Sequence, residues 1–459
     1  MPDPPQATVP PADLEAGLRK QLSAGKIAML AVGGSIGTGL LLGSAEGLHI
    51  AGPAVVLSFL LGGAVMWTVA MALGELSSAH PAAGSFGVYA DLYLNRWAGF
   101  VARYGYWYAM VVAIGAELLA SATYVQHWFP QVPALVWIVL FGGLLVSVNL
   151  MNVGRFGSFE YWFAMMKVAA IVAFILAGAA MLFSGRVPSS PNLSGGPAAG
   201  FAPNGWLAVV MALPLAVYTF GGVEMVAISS GEARSAKEVA RATHIMFAVL
   251  AFVYVGSILV LAASTPWALY SVEASPFVTA AERIGLPAAG AVLNLLVLVA
   301  ALSGANASLY VAARMLFSLA RSGFAPQALG RLNAAGSPRL ALLLSSGGIV
   351  VAIAAKLLVP QSAFLYALGA ALFGGMLAWW IALAAHISFR RKASKELLAS
   401  LPMRAPGGVV ASVLGFVGMT VAFVATWHTS LRITVVSAPI LLAALTVAYF
   451  LAPKKALSS

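Results

Sequence analysis

The chain has 459 residues, 61% of them hydrophobic and only 8% charged, with a formal net charge of +11 and no cysteine. A soluble globular domain is excluded, because such domains carry about three times as many charges; a disulfide framework, a thiolate metal site and a cysteine nucleophile go with it. Nucleic acid as a partner is set aside, because the basic residues of a polytopic membrane protein gather in its cytoplasmic loops.

Residues 1–25 are expected to form a disordered, proline-rich cytoplasmic tail without a cleavable signal peptide. Twelve apolar stretches then follow, each of about the 20 residues a bilayer needs. Their limits are 26–48, 52–76, 97–126, 131–151, 159–184, 205–232, 243–265, 287–320, 338–359, 361–388, 408–428 and 431–452. Residues 453–459 form a second cytoplasmic tail. With the N-terminus inside, twenty Lys and Arg fall on the cytoplasmic side and four outside, while Lys167 lies within a span. That bias places both termini in the cytoplasm.

The first span contains "GGSIGTGL", Gly33 to Leu40. Glycine costs a helix interior about 1 kcal/mol relative to alanine, yet small residues also let membrane helices pack closely. Gly33/Gly37 and Gly39/Gly43 have GxxxG spacing. A nucleotide loop is a poor third reading, since no strand precedes the glycines. Span 3 carries Glu117 in "VAIGAELLASATY", and span 5 carries Lys167, about 12 Å along the helix from Phe159. Span 6, "VYTFGGVEMVAISSGE", repeats the first anomaly: Gly221 and Gly222 at its middle, Pro214 upstream and Glu224 just beyond.

Two Gly/Pro-interrupted spans at matching places in two halves point to a secondary transporter built from inverted repeats. The halves are 26–184 and 205–388, with spans 11 and 12 (408–452) added. A broken helix presents free N–H groups one way and free carbonyls the other, which suits the carboxylate and the ammonium of an amino acid. Charges within spans are usually functional. Glu117 and Glu224 therefore qualify either as substrate contacts or as partners for donors freed by the breaks. Glu75, Glu160 and Glu232 lie near span ends, as cytoplasmic-gate or solvated residues. The six histidines show no metal-ligand spacing. Two loops on the outer side stand out: Pro188–Gly205, rich in Pro, Gly and Ser, and Ser271–Pro287, mildly amphipathic.

The segments "LSAGKIAMLAVGGSIGTGLLLGSA", "AGPAVVLSFLLGGAVMWTVAMALGELSSAHPAAGSFGVYA", "GRFGSFEYWFAMMKVAAIVAF", "FGGVEMVAISSGEARSAKEVARATH" and "SGANASLYVAARMLFSLARSGFAPQALGRLN" occur in this order. Together they resemble the bacterial amino-acid permeases of the amino acid–polyamine–organocation superfamily, from about Leu18 to Lys392. The resemblance implies an all-α polytopic membrane protein with two inverted five-helix repeats (a LeuT-like fold) plus two helices. It implies uptake of amino acids across a bacterial inner membrane, coupled to protons, with no other cofactor, no metal and no enzymatic activity. It places the substrate carboxylate at Ser35, Gly37, Thr38 and Gly39, and the ammonium at the carbonyls of Ile36 and of Phe220 or its neighbours, with Gly221 in the second break. Phe220 would be an aromatic lid. Lys167 would stand where more distant relatives bind sodium, with Ser303 beside it, and these two are the expected proton-coupling residues, Lys167 exchanging the proton during the cycle. The segment "GEARSAKEVARA" after span 6 lacks the family's usual prolines, which weakens any carry-over of cytoplasmic gating. An amino-acid exchanger and a membrane amino-acid sensor are the competing functions. Glu117 and Glu224 do not settle which side chain is carried.

Overall fold

A computed structural model describes residues 22–81, 85–151, 156–184, 200–283, 287–333 and 337–452. The N-terminal tail up to residue 21, the C-terminal tail 453–459 and most of the loop before residue 200 lie outside them.

The first span is two helices, α1 (Ala24–Ser35) and α2 (Ser44–Ala51), joined through Ile36–Thr38 and a wide π-type turn over Gly39–Gly43. Then come α3 (Val55–Ala79), a short α4 (Ser85–Tyr93), α5 (Arg96–Gln126), α6 (Ala134–Met151) and α7 (Phe156–Phe183). The sixth span is again split, into α8 (Leu207–Thr219), which contains Pro214, and α9 (Met225–Ile228). After it run α10 (Ala236–Ser264), a short α11 (Pro276–Arg283) and α12 (Pro287–Arg321). The ninth span comprises α13 (Arg339–Ser345) and α14 (Gly348–Leu358), and the tenth is α15 (Ala363–Lys392). A short α16 (Lys395–Ser400) leads to α17 (Gly408–Ala425) and α18 (Ile433–Leu451). Every expected span thus corresponds to helix, and both anticipated interruptions are present. The amphipathic part of the loop after α10 is α11, whose Phe277 packs on Phe174 of α7.

Burial sorts the helices. α5 lies at the centre, packed along its length against α12 and α15. Large apolar side chains on the outer helices face outward: Trp162 is 71% exposed, Leu414 64% and Ile440 68%. Such surface on so many helices needs hydrocarbon around it. The chain is a multi-pass membrane protein.

At the Lys/Arg-rich face the start of α1 is tied to the end of the sixth span. Leu22 and residues 232–234 exchange backbone hydrogen bonds of 3.0 and 3.1 Å, and the Ala24 N–H donates to Glu238. Glu232, placed by sequence among gate or solvated residues, pairs with Arg314 of α12 at 2.7 Å. Glu75 is fully buried rather than solvated.

Candidate functional site

The two interruptions face each other at the middle of the bundle. Gly222, with φ +103°, turns the chain between α8 and α9, and a Cβ there would lie 2.4 Å from Ser35 Oγ. Only glycine combines that dihedral with that approach. Around the breaks lies a cavity of about 80 Å³.

The carbonyl end of α1 is held by the protein's own donors. Lys167 Nζ, 3% exposed on α7, donates to the carbonyls of Gly33 (2.8 Å) and Ile36 (3.1 Å). Tyr254 of α10 donates its hydroxyl to Ser35 O at 2.7 Å. The N–H end is held as well: Thr38 N donates to Glu117 Oε1 at 3.2 Å. Glu117 reaches this place because Gly37 has no side chain, since a Cβ there would come within 2.4 Å of Oε1. Gly304 of α12, next to the buried Ser303, leaves room on the other side of the same carboxylate. Glu117 Oε2 and Thr38 Oγ1 are buried without hydrogen-bond partners. Buried polar atoms are rarely left so, and at a cavity they mark where a ligand or water completes the site.

The second break repeats the arrangement. Glu224 sits at the start of α9, with Oε2 accepting from Gly222 N (3.1 Å) and Oε1 from the Tyr106 hydroxyl of α5 (2.6 Å). Each break therefore has a carboxylate of the chain itself accepting from a backbone N–H of the interrupted segment.

From the breaks the cavity extends toward the basic face, along α5 from Glu117 to Tyr106, about 16 Å of helix. Its wall is mostly apolar: Met110 and Ala113 of α5, Met225, Val311 of α12, and Ala371 and Trp379 of α15. The Trp379 indole lies over Gly375 and Gly221, at 3.3 and 3.4 Å from the positions their Cβ atoms would take. Its N–H is beside Glu224 but completes no hydrogen bond.

Of the residues singled out by sequence, Ser35, Gly37, Gly39, Gly221, Glu117 and Glu224 line this one cavity. The Ile36 carbonyl, expected to receive an ammonium from the substrate, accepts from Lys167 in this structure. Phe220, expected as a lid, turns away from the cavity. Its ring is 1% exposed and packs on Tyr254 and Phe247, with centroids 4.8 and 5.9 Å away. Tyr218 lines the cavity in its place. The two positions are about 200° apart around a helix, so only one can face inward. Tyr106, Tyr254, Trp379 and Gly304 were not anticipated. Their only sequence signal is an aromatic or a glycine within an apolar span.

Comparison with known proteins agrees with this architecture. The model of the family described as "Amino acid permease" matches residues 26–454. An uncharacterized amino acid permease of Bacillus subtilis (strain 168), YtnA, is 33% identical over 441 residues, covering 94% of this chain and 95% of its own. The aromatic amino acid transport protein AroP of Escherichia coli O6:H1 is 36% identical over 382 residues, 83% of this chain and 84% of its own. AroP of Salmonella typhimurium (strain SL1344) is 35% identical over the same length. With a family match over nearly its whole length and relatives of this similarity, the chain belongs to the amino acid permease family.

Proposed function

We propose that this permease imports amino acids with large apolar or aromatic side chains by proton symport across a bacterial inner membrane, its basic face in the cytoplasm. One observation carries the reading: the free ends of the first break are held by Lys167 on the carbonyl side and by Glu117 on the N–H side. An amino-acid zwitterion carries the same two charges. Its carboxylate competes with Glu117 for the N–H groups around Thr38, and Glu117 Oε2 accepts its ammonium. A proton on Glu117 removes that competition by weakening its hold on Thr38 N, which couples protonation to occupancy. Lys167 keeps α1 fastened to α7 while the two halves rock between access states.

The side-chain class follows from what is left over. Both oxygens of Glu224 are engaged within the protein, so it does not call for a basic substrate. The remaining wall offers Met, Val, Ala and indole surface. The name of the AroP relatives is consistent with this.

Proteoliposomes test the coupling. Uptake of labelled phenylalanine into initially empty vesicles should rise with an inward proton gradient and collapse with a protonophore. Lys167→Gln should abolish gradient-driven accumulation, whereas Glu117→Gln should retain binding and lose its dependence on external pH. A Glu117→Gln variant that keeps its pH dependence refutes the coupling, and undiminished accumulation by Lys167→Gln refutes the fastening role of Lys167. Uptake only into vesicles preloaded with amino acid would identify an exchanger.

A further inference from the structure

A larger cavity, of about 410 Å³, opens at the face opposite the basic one. Its walls come from the end of α5, the start of α6, the turn between α14 and α15, and the loop that leads into α11. It is separate from the central site. Leu119, Thr123 and Gln126 of α5 border it at i, i+4 and i+7, whereas Tyr106, Met110, Ala113 and Glu117 border the central cavity. Leu119 is about 200° around the helix from Glu117, so α5 stands between the two spaces.

Two opposite charges border this outer space and do not neutralise each other. Lys356, half-buried near the end of α14, donates to the Pro360 carbonyl at 3.2 Å, one of the three donors an ammonium has. Glu273, exposed in the loop before α11, lies on the same cavity, and no ion pair joins the two. The loop is tethered on the far side: Ser275 is buried and its Oγ donates to Leu41 O, in the π-type turn of the first break, at 2.9 Å. Gln126 Nε2 donates to Val132 O at 3.0 Å, which leaves its carbonyl oxygen as a further acceptor. Leu119, Val272 and Phe364 supply apolar wall. Small-molecule sites of roughly 300–1,000 Å³ combine such a lining with a few placed polar groups.

We propose that this cavity is a second amino-acid site, distinct from the one at the breaks, in which Lys356 takes the carboxylate, Glu273 and Gln126 take the ammonium, and the apolar wall takes the side chain. A tethered cation and a tethered anion on one cavity match a ligand that carries both charges, and neither charge alone would hold it. The headgroup of phosphatidylethanolamine offers the same pair of charges, and the test separates the two sources.

The absence of native cysteine allows a protection assay on full-length protein in phosphatidylglycerol nanodiscs. Gln361→Cys places a thiol at the exposed rim of the cavity, and Ser400→Cys is an exposed reference outside it. Phenylalanine at several times its Kd should slow alkylation of Gln361→Cys by N-ethylmaleimide at least about fivefold, since protection follows 1 + [L]/Kd. Ser400→Cys should show no protection. Phenylalaninamide, which lacks the carboxylate, and phenylpropionate, which lacks the ammonium, should protect weakly. Lys356→Gln and Glu273→Gln should each remove the protection, whereas Gly37→Ala, at the central site, should keep it. Absence of protection, or full protection in the Lys356→Gln Glu273→Gln double variant, overturns the second site, as does protection that vanishes with Gly37→Ala. Slow alkylation without any amino acid in phosphatidylethanolamine nanodiscs alone would assign the cavity to a lipid headgroup and overturn it too. The readout involves no transport, so its failure is separate from failure of the transport reading.

Discussion

At the scale of single residues, the site depends on backbone approaching where a side chain would stand. A methyl at Gly37 would stand beside the Thr38 N–H where the substrate carboxylate is proposed to bind, and would push Glu117 from the place where its Oε2 is proposed to accept the ammonium. Gly37→Ala is therefore expected to weaken amino-acid binding at least about tenfold, an effect of roughly 1.4 kcal/mol, in calorimetry on purified protein. Gly222→Ala adds left-handed backbone strain of about 1–2 kcal/mol to its clash with Ser35. A lowered thermal midpoint together with lost binding is expected; an unaltered protein would show that the two breaks do not lock together as described. Gly33–Leu40 and Gly221–Glu224 were legible in the sequence as a pair, because interruptions at matching places in two halves ask for more than the close helix packing that glycines also serve. That Phe220 turns out of the cavity here was not legible, because sequence gives the spacing of residues on a helix but not the rotation of that helix about its axis.

At the scale of elements, the first break is braced from two sides, by Lys167 on α7 and by Tyr254 on α10. Tyr254→Phe removes one hydrogen bond to a buried carbonyl, a loss of about 1 kcal/mol. The ring is retained, so Phe220 keeps its packing. Transport should slow a few-fold with little change in thermal midpoint, and a null effect on transport would remove Tyr254 from the bracing. The same logic explains why the sequence left Glu75 between a gate and a solvated residue. Its position near a span end suggested a gate or water, and its donors His386, Arg390 and Ala405 lie more than 300 residues along the chain. No local pattern announces so distant a set of partners.

At the scale of the molecule, α5, α12 and α15 form the buried centre while the outer helices present apolar surface to lipid. Side-chain selectivity belongs to the cavity wall assembled from these central helices. Trp379→Leu should therefore reduce uptake of aromatic amino acids roughly two- to tenfold relative to leucine in a competition assay, by removal of an aromatic contact worth about 0.5–1.5 kcal/mol. Equal loss for every substrate would instead make Trp379 a structural residue. The sequence by itself determined that the chain is helical, that it is a multi-pass membrane protein and that its first and sixth spans are broken, because hydrocarbon imposes length and apolarity residue by residue and tolerates a break only beside a cavity. Only the tertiary structure decided what fills those breaks. Lys167, Glu117, Tyr254 and Glu224 meet them because helices far apart in sequence pack side by side, and neither that packing nor the rotation of each helix is written in local composition.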